Sequence, residues 1–288
     1  MTHEAARQAI TAARERIGSA ELLAALTLPR EGRVFDLATQ LANDMPVGPE
    51  ETFAGFRLTQ YRTPKCIADR ENLLGFDFSM ELLSGSPHLG THLDAPAHIA
   101  AGGKHFGGVS VHDAYDDFGW KQNGIETVPP IVGRGILLDA ARAEGVDKLP
   151  DGFEIGTELI QRCLAEQGTE LRRGDTVLVR TGKFLDYHGE GPLYFDAQPG
   201  IGVAAAVWLY DQGMAVLGTD TSATEVFPFR DLDNTVHKAM LVERGVYLVE
   251  ILDLEELAAA RAYEFLFVCL PLKIRGGTGS WVRPLALV

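Results

Sequence analysis

Three histidines and one aspartate fall within eleven residues, in the run Pro87-His88-Leu89-Gly90-Thr91-His92-Leu93-Asp94-Ala95-Pro96-Ala97-His98. Imidazole nitrogen and carboxylate oxygen are donors for divalent ions, and no thiolate lies nearby to favour a softer metal. His88 and His92 are four apart, which on a helix puts two side chains on one face. A helix is rejected here, because Gly90 is a poor helix former and Pro96 breaks one. On an extended chain His92 and Asp94, two apart, point the same way. Gly90 permits a sharp bend that turns His88 toward the same point. The expected product is an N/N/O set of His88, His92 and Asp94 that holds a metal and leaves a position for water. His98, beyond Pro96, is expected in a second layer, where it moves protons. One histidine alone reads as an ordinary core or surface residue; the clustering argues for a site.

The elements that must position this cluster follow from hydrophobic patterning. Residues 4–26 place Ile10, Ala13, Ile17, Ala20 and Leu23–Leu26 at helical spacing and predict one amphipathic helix ending near Pro29. Val34–Leu37 reads as a short strand, and 43–51 as a loop punctuated by Pro46 and Pro49. Phe76–Leu82 alternates, the pattern of a half-buried strand. Strands are expected over 135–139, 175–181, 213–220, 246–252, 263–272 and 281–288. Helices are expected over 156–167 with Thr157 as cap, 200–212, 234–243 and 253–261. Several strands follow one another without an intervening helix, so the fold class is α/β with a mixed sheet, or α+β, rather than a strictly parallel one. There is no repeat and no convincing linker. The chain is read as an N-terminal helical extension, 1–30, and one domain, 31–288. The stretch 184–200 is a long connection and a candidate lid.

Composition bounds the function without choosing it. The 288 residues carry 26 Lys plus Arg against 40 Asp plus Glu, a net charge of −14, which disfavours nucleic acid or an anionic membrane as partner. Cys66, Cys163 and Cys269 are too few and too scattered for a disulfide framework or a CxxC zinc site. No apolar run is long enough to span a bilayer, and the first 30 residues lack the apolar core of a signal peptide. A cytoplasmic location is expected.

The run His-x-Gly-Thr-His-x-Asp-x-Pro-x-His resembles the signature of the metal-dependent cyclase-like hydrolase family, which includes bacterial kynurenine formamidases and isatin hydrolases. The likeness extends to Phe35-Asp36-Leu37, Met45-Pro46-Val47, the runs 135–139 and 174–182, and the turn Gly218-Thr219-Asp220-Thr221-Ser222. The resemblance implies a swivelling β/β/α fold, a mixed sheet sandwich or barrel with peripheral helices. It also implies a late His and Glu, matched by His237 and by Glu250 at the end of 245–250, that complete a two-metal site. Carried over, Asp94 bridges the ion of His88 and His92 to a second ion held by His237 and Glu250. The resemblance further implies a homodimer or homotetramer. The N-terminal helix and the 184–200 segment depart from compact family members and bear on the pocket mouth.

The expected activity is hydrolysis of a carbon–nitrogen amide bond in a small formamide or cyclic amide such as a lactam. It uses a divalent ion, zinc or manganese, one or two per subunit, with water activated by the ion and His98 passing its proton to the leaving nitrogen. Rival readings are a metal-dependent cyclase or dehydratase without net hydrolysis, and a metal-containing binding protein. Gly276–Ser280 reads as a backbone turn rather than an anion cradle. His105 and His112 read as loop or surface residues. Phe53, Phe56, Phe184 and Tyr187 are candidates for a pocket wall. Neither a cysteine nucleophile nor a Gly-x-Ser-x-Gly elbow is expected.

Overall fold

The structure, a computed structural model, describes residues 16–48, 53–63, 76, 78–187 and 194–288. Its centre is four strands with near-continuous apolar sequence: β5 (Ile131–Asp139), β6 (Thr176–Arg180), β7 (Val216–Thr219) and β8 (Tyr247–Glu250). Such runs suit strands covered on both faces. These four pair in parallel, β5 to β6 to β7 to β8. Parallel neighbours need long crossovers. Helix α2 (Thr157–Gln167) lies between β5 and β6 in the chain, and α3 (Val203–Asp211) between β6 and β7.

Antiparallel strands extend the sheet on both sides. On one side lie β9 (Glu264–Cys269), β11 (Leu285–Leu287) and β1 (Val34–Asp36). On the other, β8 takes β4 (His92–Asp94), which takes β10 (Gly279–Trp281). The nine-stranded order is β1-β11-β9-β5-β6-β7-β8-β4-β10, a large curled mixed sheet with a few helices, as the sequence predicts.

Period-two alternation sorts the side chains into two cores. Ile136, Leu138, Val177, Val179, Leu217 and Leu248 pack against Leu159, Ile160 and Cys163 of α2 and Ala205, Ala206 and Leu209 of α3. Leu137, Leu178, Val216, Val249 and Leu93 face the other way, onto Phe265 and Phe267. The site strand β4 is thus anchored by Leu93, buried between the two residues that face the cluster.

Several local expectations differ from what is observed. The N-terminal helix is interrupted: Gly18 is extended (φ −83°, ψ 177°), and a short helix, α1 (Ser19–Ala25), follows. Glycine is the weakest helix residue in that run, and Arg16 has other engagements. Its guanidinium lies 3.6 Å from the centroid of the Tyr210 ring and donates to the Tyr210 and Met214 carbonyls. The rest of the expected helix, 4–15, lies outside the described residues. The strand near Phe76 runs Met80–Ser84 (β3) and pairs with Arg57–Arg62 (β2), and both are exposed on both faces, with no second layer over the pair among the described residues. Helix α2 is capped by Gly156 rather than Thr157, and the stretch at 234–243 is a π-helix over Lys238–Val242. Among the described residues no helix is long and apolar enough to cross a membrane.

Candidate metal centre

The histidine motif adopts the extended-and-bent path that its residues require. Gly90 has φ +59°, and a Cβ there would sit 2.7 Å from Thr39 Oγ1, so the bend and the close approach both call for glycine. Beyond it β4 presents His92 and Asp94 on one face, and His88 folds back so that its Nδ1 lies 2.7 Å from Asp94 Oδ1. The Nε2 of His88 meets Thr278 Oγ1 at 2.9 Å. His92 directs Nδ1 to the Gly90 carbonyl at 2.8 Å, leaving Nε2 for the cluster. After the turn at Pro96, the His98 ring stacks on His88 with centroids 4.0 Å apart.

The chain supplies the remaining members from far away. Glu250 ends β8 directly opposite His92 in the antiparallel register. His237 stands immediately before the π-helix. Asp94 Oδ2 lies 3.6 Å from His237 Nε2 and 4.0 Å from His98 Nε2. Glu250 reaches His92 Nε2 at 3.4 Å and His237 Nε2 at 3.5 Å. All six residues singled out in the sequence therefore meet. Two sets of donors converge closely enough to share an ion: His88, His92 and Asp94, and Asp94, His98 and His237. The second set brings His98 beside Asp94 and His237. His105 and His112 belong to neither set; His105 is buried against Trp120 with Nδ1 on the Ile99 carbonyl.

The donor set fits a cation on two grounds. Asp94, Glu225 and Glu250 are 0%, 6% and 3% exposed, and among the described residues every ion-pair partner of these three carboxylates is a histidine. Three buried carboxylates without lysine or arginine demand positive charge. In addition, Asp94 Oδ2 is buried without a hydrogen-bond partner. Its nearest imidazole nitrogens, at 3.6 and 4.0 Å, are too far for good hydrogen bonds, and the other histidine–carboxylate separations across the cluster, apart from the 2.7 Å contacts of His88 with Asp94 and His237 with Glu225, are 3.4–3.5 Å. They approach the spacing of ligands about one ion, roughly 3.0–3.4 Å for two donors each about 2.1 Å from it.

Burial and charge set the protonation states. Burial works against ionisation of Asp94, yet the surrounding imidazoles His98, His88 and His237 hold its carboxyl well below the usual range. Burial, only partly offset by Asp94 and reinforced by His88, His237 and His92, depresses His98 to about 3, which favours the neutral ring. Burial also opposes a proton on His92 and on His237, but both are raised, His92 by Glu250 and Asp94 and His237 by Glu225 and Glu250.

A cavity of about 420 Å³ opens onto the cluster. Phe53, Phe229 and Ile99 supply its apolar wall, and Ser86, Ser222 and Thr235 its hydroxyls. Of the four aromatics expected to wall a pocket, Phe53 does so. Phe56 packs edge-on against Trp281, and Phe184 and Tyr187 belong to a separate buried cluster. The Gly276–Ser280 run is packed by backbone against Phe118 and Gly119, and its Thr278 is the residue that touches His88. Asp220 is a tie within the fold: it accepts from the amides of Thr181 and Gly182 and from Thr181 Oγ1. Burial pushes the Cys163 thiol up to about 12 and raises Cys269 as well; Cys66 lies outside the described residues.

Glu225 was missed in the sequence. It pairs with His237 at 2.7 Å, but the two are 12 apart with a cis Phe227–Pro228 bond between them, and no local spacing announces the contact.

Known proteins resemble the chain over most of its length. A kynurenine formamidase of Delftia acidovorans is 26% identical over 253 residues, 87% of this chain and 95% of that protein. An isatin hydrolase of Roseibium aggregatum is 29% identical over 216 residues, 70% of this chain and 72% of that one. A solved structure described as a novel cyclase superposes with a TM-score of 0.89 at 29% identity, covering 97% of this chain and 94% of its own. Residues 35–226, which include the histidine motif, match the family model described as "Putative cyclase", and the chain belongs to that family.

Proposed function

We propose that the protein is a metal-dependent hydrolase of a carbon–nitrogen amide bond in a small formamide or cyclic amide. The observation that carries the reading is the buried cluster of three carboxylates and four imidazoles around the partnerless Asp94 Oδ2. The kynurenine formamidase and isatin hydrolase relatives, one named for a linear amide and the other for a cyclic one, supply the bond type.

In this reading His88, His92 and Asp94 hold one divalent ion, zinc or manganese. Asp94, His98, His237 and Glu250 provide for a second. The ion supplies Lewis acidity, lowering the pKa of water toward neutrality and polarising the amide carbonyl. The chain does the rest. Phe53, Phe229 and Ile99 exclude bulk water and accept the apolar part of the substrate. Ser86, Ser222 and Thr235 are placed to hydrogen-bond its polar groups. Two roles are open to His98. Proton transfer to the leaving nitrogen follows from its reach into the cavity; ligation follows from its neutral ring and its place beside His237 and Asp94.

Metal analysis of the purified protein, followed by a pH-indicator screen of formanilides, lactams and imides, tests the reading. Bound divalent ion and one acid equivalent per turnover are expected. Metal-loaded protein that releases no acid from any of the three classes overturns it.

A further inference from the structure

His237 is useful to a metal or a substrate through only one of its nitrogens. Its Nε2 faces Asp94 Oδ2 and Glu250 Oε1 inside the cluster. Its Nδ1 lies 2.7 Å from Glu225 Oε2. A carboxylate oxygen accepts here and Nδ1 donates, so in the neutral ring that a metal requires the hydrogen sits on Nδ1 and the Nε2 lone pair faces the centre. Without Glu225 the neutral ring is free to carry its hydrogen on either nitrogen.

The backbone of Glu225 is held firmly, and of its carboxylate oxygens Oε2 meets His237 while Oε1 is buried without a hydrogen-bond partner. The residue is 6% exposed. Its carbonyl accepts from Gln198 Nε2, which also donates to the Ala223 carbonyl. Gln198 Oε1 accepts from the Ser222 amide and hydroxyl, so one side chain fastens the turn 222–225. The neighbouring residue serves the other distal acid: Thr224 Oγ1 donates to Glu250 Oε1 at 2.8 Å. Two adjacent residues on one fastened turn thus grip the two cluster members that lie farthest along the chain from the histidine motif.

We propose that Glu225 is a positioning residue of the centre, fixing His237 with hydrogen on Nδ1 and Nε2 turned toward the ion. The proposal rests on the metal-centre reading above. Carboxylates in this position orient imidazole ligands and raise their basicity, and their loss weakens metal binding roughly 10–100-fold.

Zinc affinity by chelator competition, and ¹⁵N NMR of the neutral His237 ring in the metal-free protein, test it. Glu225→Ala is expected to weaken the zinc that involves His237 by about 10–100-fold and to shift the metal-free ring away from the Nδ1–H pattern, while the fold by circular dichroism is kept. Glu225→Gln keeps an acceptor oxygen, so the Nδ1–H pattern should survive with roughly a tenfold weaker zinc. In a His237→Ala background Glu225→Gln should have no further effect on zinc. Should Glu225→Ala fail to fold, the Glu225→Gln and His237→Ala cycle decides alone. Variants that bind zinc as the parent does, or a Glu225→Gln effect that persists without His237, overturn the role of Glu225 and leave the metal centre standing. A parent protein that takes up neither zinc nor manganese overturns both.

Discussion

Glu250 and His92 are direct partners across the antiparallel pair β8–β4, and Glu250 Oε2 lies 3.4 Å from His92 Nε2. Sheet register, not loop geometry, therefore carries the distal acid to the histidine motif. A slip of one residue would turn Glu250 to the opposite face, because side chains alternate along a strand. The residue after it reinforces the placement. Ile251 has φ +54°, a strained conformation for a β-branched residue, and is held by its amide on the Thr221 carbonyl and by Thr91 Oγ1 on its own carbonyl.

His92→Ala should strip metal and turnover together. The core on either side of β4 is apolar and does not depend on the ring, so circular dichroism and the unfolding transition should remain cooperative. Full metal content by elemental analysis in this variant would remove His92 from the ligand set.

His98→Asn separates proton transfer from ligation. Retained metal with turnover lowered about 100-fold or more identifies the proton role. Loss of an ion identifies His98 as a ligand beside Asp94 and His237.

Gly279→Ala should loosen the near half of the centre without replacing a donor. A Cβ at 279 would stand 2.6 Å from His88 Cε1, and Gly279 is the register partner of Asp94. Displacing the imidazole should weaken metal about tenfold or more, with a stability cost of about 1–3 kcal/mol as for other overpacked sites. Unchanged metal affinity in a chelator titration would show that the ring yields freely.

Thr91→Val removes a hydroxyl that accepts from the Thr39 amide and donates to the Ile251 carbonyl while keeping its volume. Leaving those buried groups unpaired should cost about 1–3 kcal/mol in urea unfolding. A loss below about 0.5 kcal/mol would mean that the turn at Ile251 needs no such support.

Asp175 gives stability a pH dependence away from the site. Burial, partly offset by Arg134, lifts its carboxyl to about 6. A folded-state value above the unfolded one means that the native state holds the proton more tightly. Its favourable contribution is complete below about pH 4 and is lost as pH rises through about 6. Asp220 shifts in the same direction, to about 6. The stability of the parent relative to Asp175→Asn should therefore fall by about 2–3 kcal/mol between pH 4 and pH 7. Parallel stability profiles for the two proteins would show that Asp175 does not titrate in this window.

What could be read in advance was whatever a short window determines. The four parallel strands stand out because burial on both faces makes each an unbroken apolar run, and the bend at Gly90 follows from one glycine between two histidines. The motif's resemblance to a known family added His237 and Glu250. Glu225 escaped because its significance lies in a contact set by the turn that Gln198 fastens. The alternation of Phe76–Leu82 misled because period two records a pleat and not the layer beneath it, and among the described residues none lies under β2 and β3. The π-helix after His237 shares its apolar spacing with an α-helix closely enough that five residues do not separate them.

The order of the sheet also sets an order of assembly. The motif strand β4 is made early, but its neighbours on either side, β8 and β10, are not complete until residues 250 and 281. Pairing of β1 with β11 waits longer still, for residue 287. A chain emerging from the ribosome therefore carries His88, His92 and Asp94 through most of its synthesis without the strands that flank them. Such long-range closure is slow relative to local folding. The candidate metal cluster should mature in a late, concerted step, once both flanking strands are in place.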